Sequence, residues 1–357
     1  MEKFEFLTPA IGREDLEIYD VQQAPFRLYG LYKPEEGQYR RMPREVACRV
    51  SERVLGLHAN TAGARVRFST DSLHLAVCAL YPEQVYPSDR SAALSGAGAF
   101  FFDLYADGEH MRVLWHETVK TAGNAYFDLS SGRYESHMTF PTKKMRQITL
   151  CFPAFVNVSR VLVGLDRGAA VEEGAAYQNQ DPVVFYGSSI TQGACASRAG
   201  NSYPNLLSRW LNFDYINLGF AGGCGAEEEI IDYLCALKTP LLVYDYDHNC
   251  TSLDHLRRTH LPGLEKLRRA HPEIPFVLLS KPNRHAGKEE AVARMRIIEE
   301  SHLALQKMST APVHFVSGQE IFESYDPEMM TVDGTHPTDL GFYAMAKALL
   351  PVFKKYF

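Results

Sequence analysis

The spacing of hydrophobic and polar positions changes near the middle of the chain. From about Pro25 to Asp166 the period is two. Ser72 to Cys78 sets Leu73, Leu75 and Val77 against smaller or polar partners, the pattern of a half-buried strand. Phe100 to Leu104 and Met111 to Trp115 flank Ala106-Asp-Gly-Glu109, and Asp-Gly between apolar runs predicts a hairpin. Arg146 to Phe152 and Val158 to Val163 add strands. Short strands with frequent turns and hardly any helical periodicity predict an antiparallel, jelly-roll-like β-sandwich over residues 1–170. The polar, Ser-, Pro- and Gly-rich stretch Tyr81 to Gly98 is expected to be a surface loop.

Gly168 to Gln180 is small and acidic and reads as connecting chain, with residues 171–180 the linker and 181–357 a second domain. Beyond it, short apolar runs of the buried-strand type recur at Val183–Tyr186, Tyr215–Leu218, Leu241–Tyr244, Phe276–Leu279 and Val313–Val316. Helical spacing falls between them: Leu206, Leu207, Trp210 and Leu211; Ile230, Ile231 and Leu234; Met295, Ile298 and His302. A last helix from Thr338 carries Leu340, Phe342, Met345 and Leu349. Strands alternating with helices predict a parallel sheet covered on both faces, with its working site at the carboxyl ends of the strands.

Composition narrows the classes. The 357 residues are 46% hydrophobic and 22% charged, as in an ordinary globular chain, and the net charge of −6 argues against a nucleic-acid partner. No run approaches the roughly 20 apolar residues that span a bilayer, so no membrane partner is expected. Residues 1–13 carry no basic stretch followed by an apolar one, which predicts a cytoplasmic protein. The seven cysteines are odd in number and include no C-x-x-C pair, so free thiols are expected rather than disulfides or structural zinc.

Candidate chemistry stands at the predicted strand ends. Gly187-Ser-Ser-Ile-Thr-Gln-Gly193 follows the first strand of the second half, a turn able to hold a serine hydroxyl clear of the sheet. Asn217-Leu-Gly-Phe-Ala-Gly-Gly223 follows the second, where glycines let backbone N–H groups approach a substrate oxygen. Tyr244-Asp-Tyr-Asp-His-Asn249 ends the third. Val332-Asp-Gly-Thr-His-Pro337 precedes the last helix and spaces Asp333 and His336 so that a carboxylate can meet an imidazole.

Four such loops in this order resemble the sequence blocks of the SGNH (GDSL-like) hydrolases, and the resemblance covers Asp181 to about Ala348. It implies a flavodoxin-like α/β hydrolase domain that needs no cofactor or metal. It further implies Ser189 as nucleophile, His336 as general base and acid, and Asp333 as the group orienting His336. The N–H groups of Ser189 and Gly222 and the Asn249 amide would form the oxyanion hole. Two departures stand out: Ser188 occupies the place of the family's Asp, and Asn249 follows Asp245, Asp247 and His248 rather than a Gly-x-Asn-Asp pattern.

Asp245, Asp247 and His248 fit a supporting role, holding the Asn249 loop, better than metal ligation. Cys195, Cys224 and Cys250 follow the first three blocks as small fillers; if the loops converge, thiol reagents would inhibit. The reaction implied is hydrolysis of short acyl esters, acetyl above all, on a small-molecule or oligosaccharide substrate. Acyl transfer to another acceptor, lipase-like hydrolysis and non-catalytic glycan binding are the alternatives. The N-terminal sandwich is either a sugar-contacting module, with Tyr81, Tyr86 and Trp115 as stacking candidates, or a packing partner within the chain or in a homo-oligomer.

Overall fold

The computed structural model describes residues 13, 15–82, 94–115, 132–282, 288–323 and 325–357. In its first half the strands are β1 (Leu16–Asp20), β2 (Arg27–Tyr29), β3 (Arg65–Thr70), β4 (His74–Leu80), β5 (Phe102–Ala106), β6 (Glu109–Leu114), β7 (Arg133–Thr139), β8 (Arg146–Cys151), β9 (Arg160–Asp166) and β10 (Val171–Glu173). One sheet runs β1-β9-β4-β7, the other β10-β3-β8-β5-β6, with β2 also paired to β3. Every pairing in these two sheets is antiparallel. Leaving out β2 and β10, this is the order of an eight-stranded jelly roll. Val66, Phe68, Leu104 and Leu150 from one sheet meet Leu75, Val77 and Val163 from the other in a shared core.

The predicted hairpin forms with Asp107 and Gly108 both at positive φ, 54° and 82°, as a two-residue turn matched to strand twist requires. The expectation for β4 needs correction. It is buried on both faces, because β7 and β9 flank it and Leu16 covers Ala76 from outside. Val171–Glu173, in the expected linker, adds a strand to β3. The predicted loop at 81–98 lies partly outside the described residues. Its described ends differ from a surface loop: Tyr81 is buried, and residues from Gly96 onward are helical.

Among the described residues three α-helices interrupt the sandwich sequence, α1 (Arg44–Val50), α2 (Glu52–Leu57) and α3 (Gly96–Phe100). The second half comprises β11 (Val183–Gly187), α4 (Ser189–Gln192), α5 (Tyr203–Leu211), β12 (Tyr215–Gly219), α6 (Glu228–Ala236), β13 (Leu242–Asp245), α7 (Leu253–Ala270), β14 (Phe276–Leu279), α8 (Glu289–Met308), β15 (Val313–Val316), α9 (Gly318–Glu323), α10 (Pro327–Met330) and α11 (Asp339–Phe353). The strands form one parallel sheet in the order β12-β11-β13-β14-β15, the flavodoxin-like arrangement. One face packs against α5 and α11 through Leu207, Phe342 and Leu349, and the other is covered by α6, α7 and α8.

That second face has an additional cover. Met42, Val46, Val54 and Leu57 pack with Leu218, Phe220 and Ile230 in the same core. Alpha-helical residues from the first half therefore complete the helical layer beside β12. Arg41 pins this contact, donating to the carbonyls of Asn217 (2.9 Å), Gly219 (2.6 Å) and Leu57 (2.7 Å) while fully buried.

Candidate active site

The first three predicted loops leave the carboxyl ends of β11, β12 and β13, and the fourth, between α10 and α11, is brought to the same place by His336. Ser189 opens α4 two residues after β11, with the Ser188 hydroxyl accepting from the Ile190 N–H at 3.2 Å to cap the turn. Ser189 is 6% exposed. Its Oγ lies 2.9 Å from His336 Nε2, and His336 Nδ1 lies 2.7 Å from Asp333 Oδ2. The other Asp333 oxygen accepts from the backbone N–H groups of Thr335 (3.0 Å) and His336 (2.8 Å). Partial burial opposes ionisation of Asp333, but those N–H groups and the imidazole outweigh it and hold the carboxyl below its usual range. The turn is closed by Val332 N–H donating to His336 O and Thr338 N–H to Met330 O, which fixes the ring relative to α11.

The second loop is pressed against the first. A Cβ on Gly219 would lie 2.3 Å from Gln192 N and 2.8 Å from Ser188 O, so only glycine permits this approach. Gly222 stands at φ 71°, and neither its N–H nor that of Ser189 has a protein acceptor among the described residues. Asn249 donates its side-chain amide to Phe220 O at 2.9 Å. One amide proton is thereby spent on holding the Gly222 loop, leaving the second available to a ligand.

Asp245, Asp247 and His248 take three separate roles. Asp245 accepts from Thr191 Oγ1 and Tyr203 OH, both at 2.9 Å, and so ties the Ser189 helix, not the Asn249 loop, to β13. Burial pushes its carboxyl up to about 7. Asp247 accepts from Arg294 Nη1 at 2.9 Å and from the Lys281 N–H at 3.0 Å, and Arg294 also reaches Cys250 O. This pair is what fixes the Asn249 loop. His248 has neither ring nitrogen hydrogen-bonded, and burial, with the charges of Lys281, His336 and Arg294, holds it neutral. Among the described residues no three His, Cys, Asp or Glu side chains gather as metal ligands would.

Other bracing residues carry no signal in a single sequence. Gln192 accepts from the Ala221 N–H at 3.0 Å and donates to Asn60 and Ala154 O. Arg53 of α2 donates to Ala221 O at 2.7 Å and lies beside Gly222. Only the register of the two halves brings Arg41, Arg53 and Asn60 to the loop, and nothing in their local spacing foretells it.

Two family profiles cover nearly the whole chain in tandem: the GDSL-like lipase/acylhydrolase family over residues 180–354, and the N-terminal region of SGNH-hydrolase-type esterases over residues 16–171. The chain belongs to the SGNH (GDSL-like) hydrolases. No curated protein sequence matches this SGNH hydrolase. Among solved structures it is similar to a Bacteroides ovatus protein described as a GDSL-like lipase (TM-score 0.81, 23% identity, 96% of this chain and 98% of that one). It is also similar to a salicylyl-acyltransferase from a tetracycline biosynthetic pathway (0.75, 18%, 96% and 98%) and to an acetyl xylan esterase from Butyrivibrio proteoclasticus (0.57, 11%, 95% and 98%). At these identities the likeness is one of fold, extending over both halves.

Of the aromatic candidates in this SGNH hydrolase, Tyr81 stacks on Tyr134 in the sandwich core, which removes it as a surface platform. Tyr86 lies outside the described residues. Trp115 is 43% exposed, edge-on to Phe101. No described helix is long and apolar enough to cross a membrane.

Proposed function

We propose that this SGNH hydrolase is a serine esterase that removes short acyl groups, acetyl above all, from a carbohydrate alcohol without a metal. The observation that carries the reading is the continuous chain from Ser189 Oγ through both His336 nitrogens to Asp333, at 2.9 and 2.7 Å. His336 Nε2 takes the Ser189 proton as Oγ attacks the ester carbonyl carbon. The Ser189 and Gly222 N–H groups and the Asn249 amide receive the carbonyl oxygen as it gains charge. Collapse breaks the bond to the alcohol, which leaves with the proton from His336. Water, deprotonated by the same nitrogen, then frees the acid and restores Ser189.

The acetyl-sugar reading is supported by a fold shared in both halves with an acetyl xylan esterase. Trp115 is the exposed aromatic offered to a sugar face. A small oligosaccharide fits a cytoplasmic setting, and activity confined to polymeric xylan or mannan would refute that setting. Hydrolysis of p-nitrophenyl acetate and longer acyl esters by the wild type and Ser189→Ala, with EDTA present, tests the whole. Turnover that needs Ser189, ignores EDTA and falls with acyl length is expected. An inactive wild type, or activity surviving in the variant, sinks the esterase reading. Ester formation on an added alcohol in preference to water would identify an acyltransferase using the same relay.

A further inference from the structure

A cavity of about 130 Å³ lies between the sandwich and α5, apart from the relay. Asn212, in its wall, leads into the amino end of β12, whereas the candidate catalytic loops leave the carboxyl ends. On β3, Val66 and Phe68 face the sandwich core, so Arg65 and Arg67 stand on the opposite face and line the cavity. Arg209 of α5 lines it from the other side.

The three guanidinium groups are unequally neutralised. Arg65 forms a buried ion pair with Asp214 and donates to the Tyr177 hydroxyl at 2.9 Å. Arg67 is 9% exposed and stacks on Tyr177 at 4.3 Å; its one recorded hydrogen bond is a 3.3 Å contact from Nη1 to Asn212 Oδ1. Its Nε is buried with no partner. Arg209 spends Nη1 on the Tyr105 hydroxyl (2.7 Å) and Gly200 O (2.8 Å). Among the described residues neither Arg67 nor Arg209 forms an ion pair; the carboxylate whose charge reaches Arg67 is Asp214, already paired with Arg65, and no acidic side chain lines the cavity.

One carboxylate, Asp214, thus serves two buried guanidinium groups, Arg65 and Arg67, and an under-compensated buried cation is costly; the buried Arg67 Nε–H without an acceptor adds to the cost. An anion seated between Arg67 and Arg209 would relieve both. The guanidinium fork matches tetrahedral oxyanions, and the Thr149 hydroxyl in the same wall offers another donor. A volume of about 130 Å³ leaves room for one such ion. We propose that this cavity is a binding site for phosphate, as the free ion or as the end of a phosphomonoester, that ties β3 to α5 across the two halves.

Isothermal titration of inorganic phosphate into the full chain, against sodium chloride of equal ionic strength, tests this. One saturable site per chain is expected, with a matching rise in melting temperature. Arg67→Gln should weaken binding at least tenfold. Because Arg67 is buried, Arg209→Gln, at a half-buried position, is measured alongside it with the circular dichroism of both, and the same loss is expected. Comparable binding of glycerol phosphate would identify a phosphomonoester site, and binding of inorganic phosphate alone a site for the free ion. No saturable heat in the wild type, or wild-type affinity in a folded Arg209→Gln, overturns the proposal.

Discussion

The relay and the loop that faces it are assembled differently. Ser189, Asp333 and His336 all come from the second half, and a three-residue turn places two of them. The Phe220–Gly223 loop is instead held from outside its own sheet: Arg41 and Arg53 grip its carbonyls and those beside it, and Asn60 orients Gln192, which holds Ala221. The Ser189–His336–Asp333 chain is thus local to the second half. The proposed oxyanion side is a joint between two regions, so chemistry and stability are expected to be coupled there.

The largest break in that comparison is Ser189→Ala. Removing a nucleophile of this kind lowers kcat by about 10⁶-fold, and a change of one small, capped position should leave the melting temperature within about a degree. Equal loss of stability would mean the relay is not separable. Arg41→Met is the contrasting case. It takes the Arg41 donor from the buried Asn217 and Gly219 carbonyls, each worth about 1–3 kcal/mol, while Leu57 O keeps the Asn60 N–H, and should cost about 3–5 kcal/mol in a urea titration. Turnover of what remains folded should also fall, because Asn217 O and Gly219 O lie at the base of the loop. Unaltered turnover in the folded fraction would show that the N-terminal bracing serves stability alone.

Asn249→Ala sits between these extremes. It removes one proposed oxyanion donor and the bond to Phe220 O, so kcat should drop by about 10²–10³-fold with a stability loss of about 1 kcal/mol. Steady-state kinetics beside thermal melts separates the two effects. Asp245 sharpens the comparison through pH. Its carboxyl rises from 3.8 to about 7 by burial, so the folded state binds the proton more tightly than the unfolded one. The stability from this group is complete below about pH 4 and is lost as pH rises through 7. At 1.36 kcal/mol per pH unit the loss is at most about 4 kcal/mol, reduced by relaxation around the charge. Asp245→Asn should flatten the decline in melting temperature between pH 4 and 8; an unchanged profile would assign the slope elsewhere.

How much of this was legible depends on the range of the interaction. The five parallel strands and the four loops announce themselves because apolar runs, glycine turns and the Asp333–His336 spacing are local. The jelly-roll hairpin was readable from Asp107-Gly108 for the same reason. Helix α7 was not, since Pro262 lies inside it and its exposed face is strongly charged, which dilutes the apolar stripe of Leu256, Leu264 and Leu267. Nor was the burial of β4 on both faces, because small residues such as Ala76 and Cys78 read as outward-facing until neighbouring strands cover them. Arg41 shows the limit most plainly: its partners lie up to 178 residues away, and only tertiary packing brings them together.

The thiols supply the smallest expected effect, and its size follows from the same coupling between burial and charge. Cys195, Cys224 and Cys250 follow the three loops, as the sequence has them; none is disulfide-bonded and all are buried. Oxidation by peroxide proceeds through the thiolate. Burial, and secondarily the Asp333 charge, pushes Cys195 up to about 11; burial also raises Cys224 and Cys250, outweighing the nearby Arg294 in the latter case. Near pH 7 each remains a protonated thiol shielded from solvent. Millimolar peroxide applied for an hour should therefore change p-nitrophenyl acetate turnover by less than about twofold. Rapid inactivation, reversed by dithiothreitol and abolished in Cys195→Ser, would instead show that the turn after the nucleophile opens far enough for its thiol to ionise.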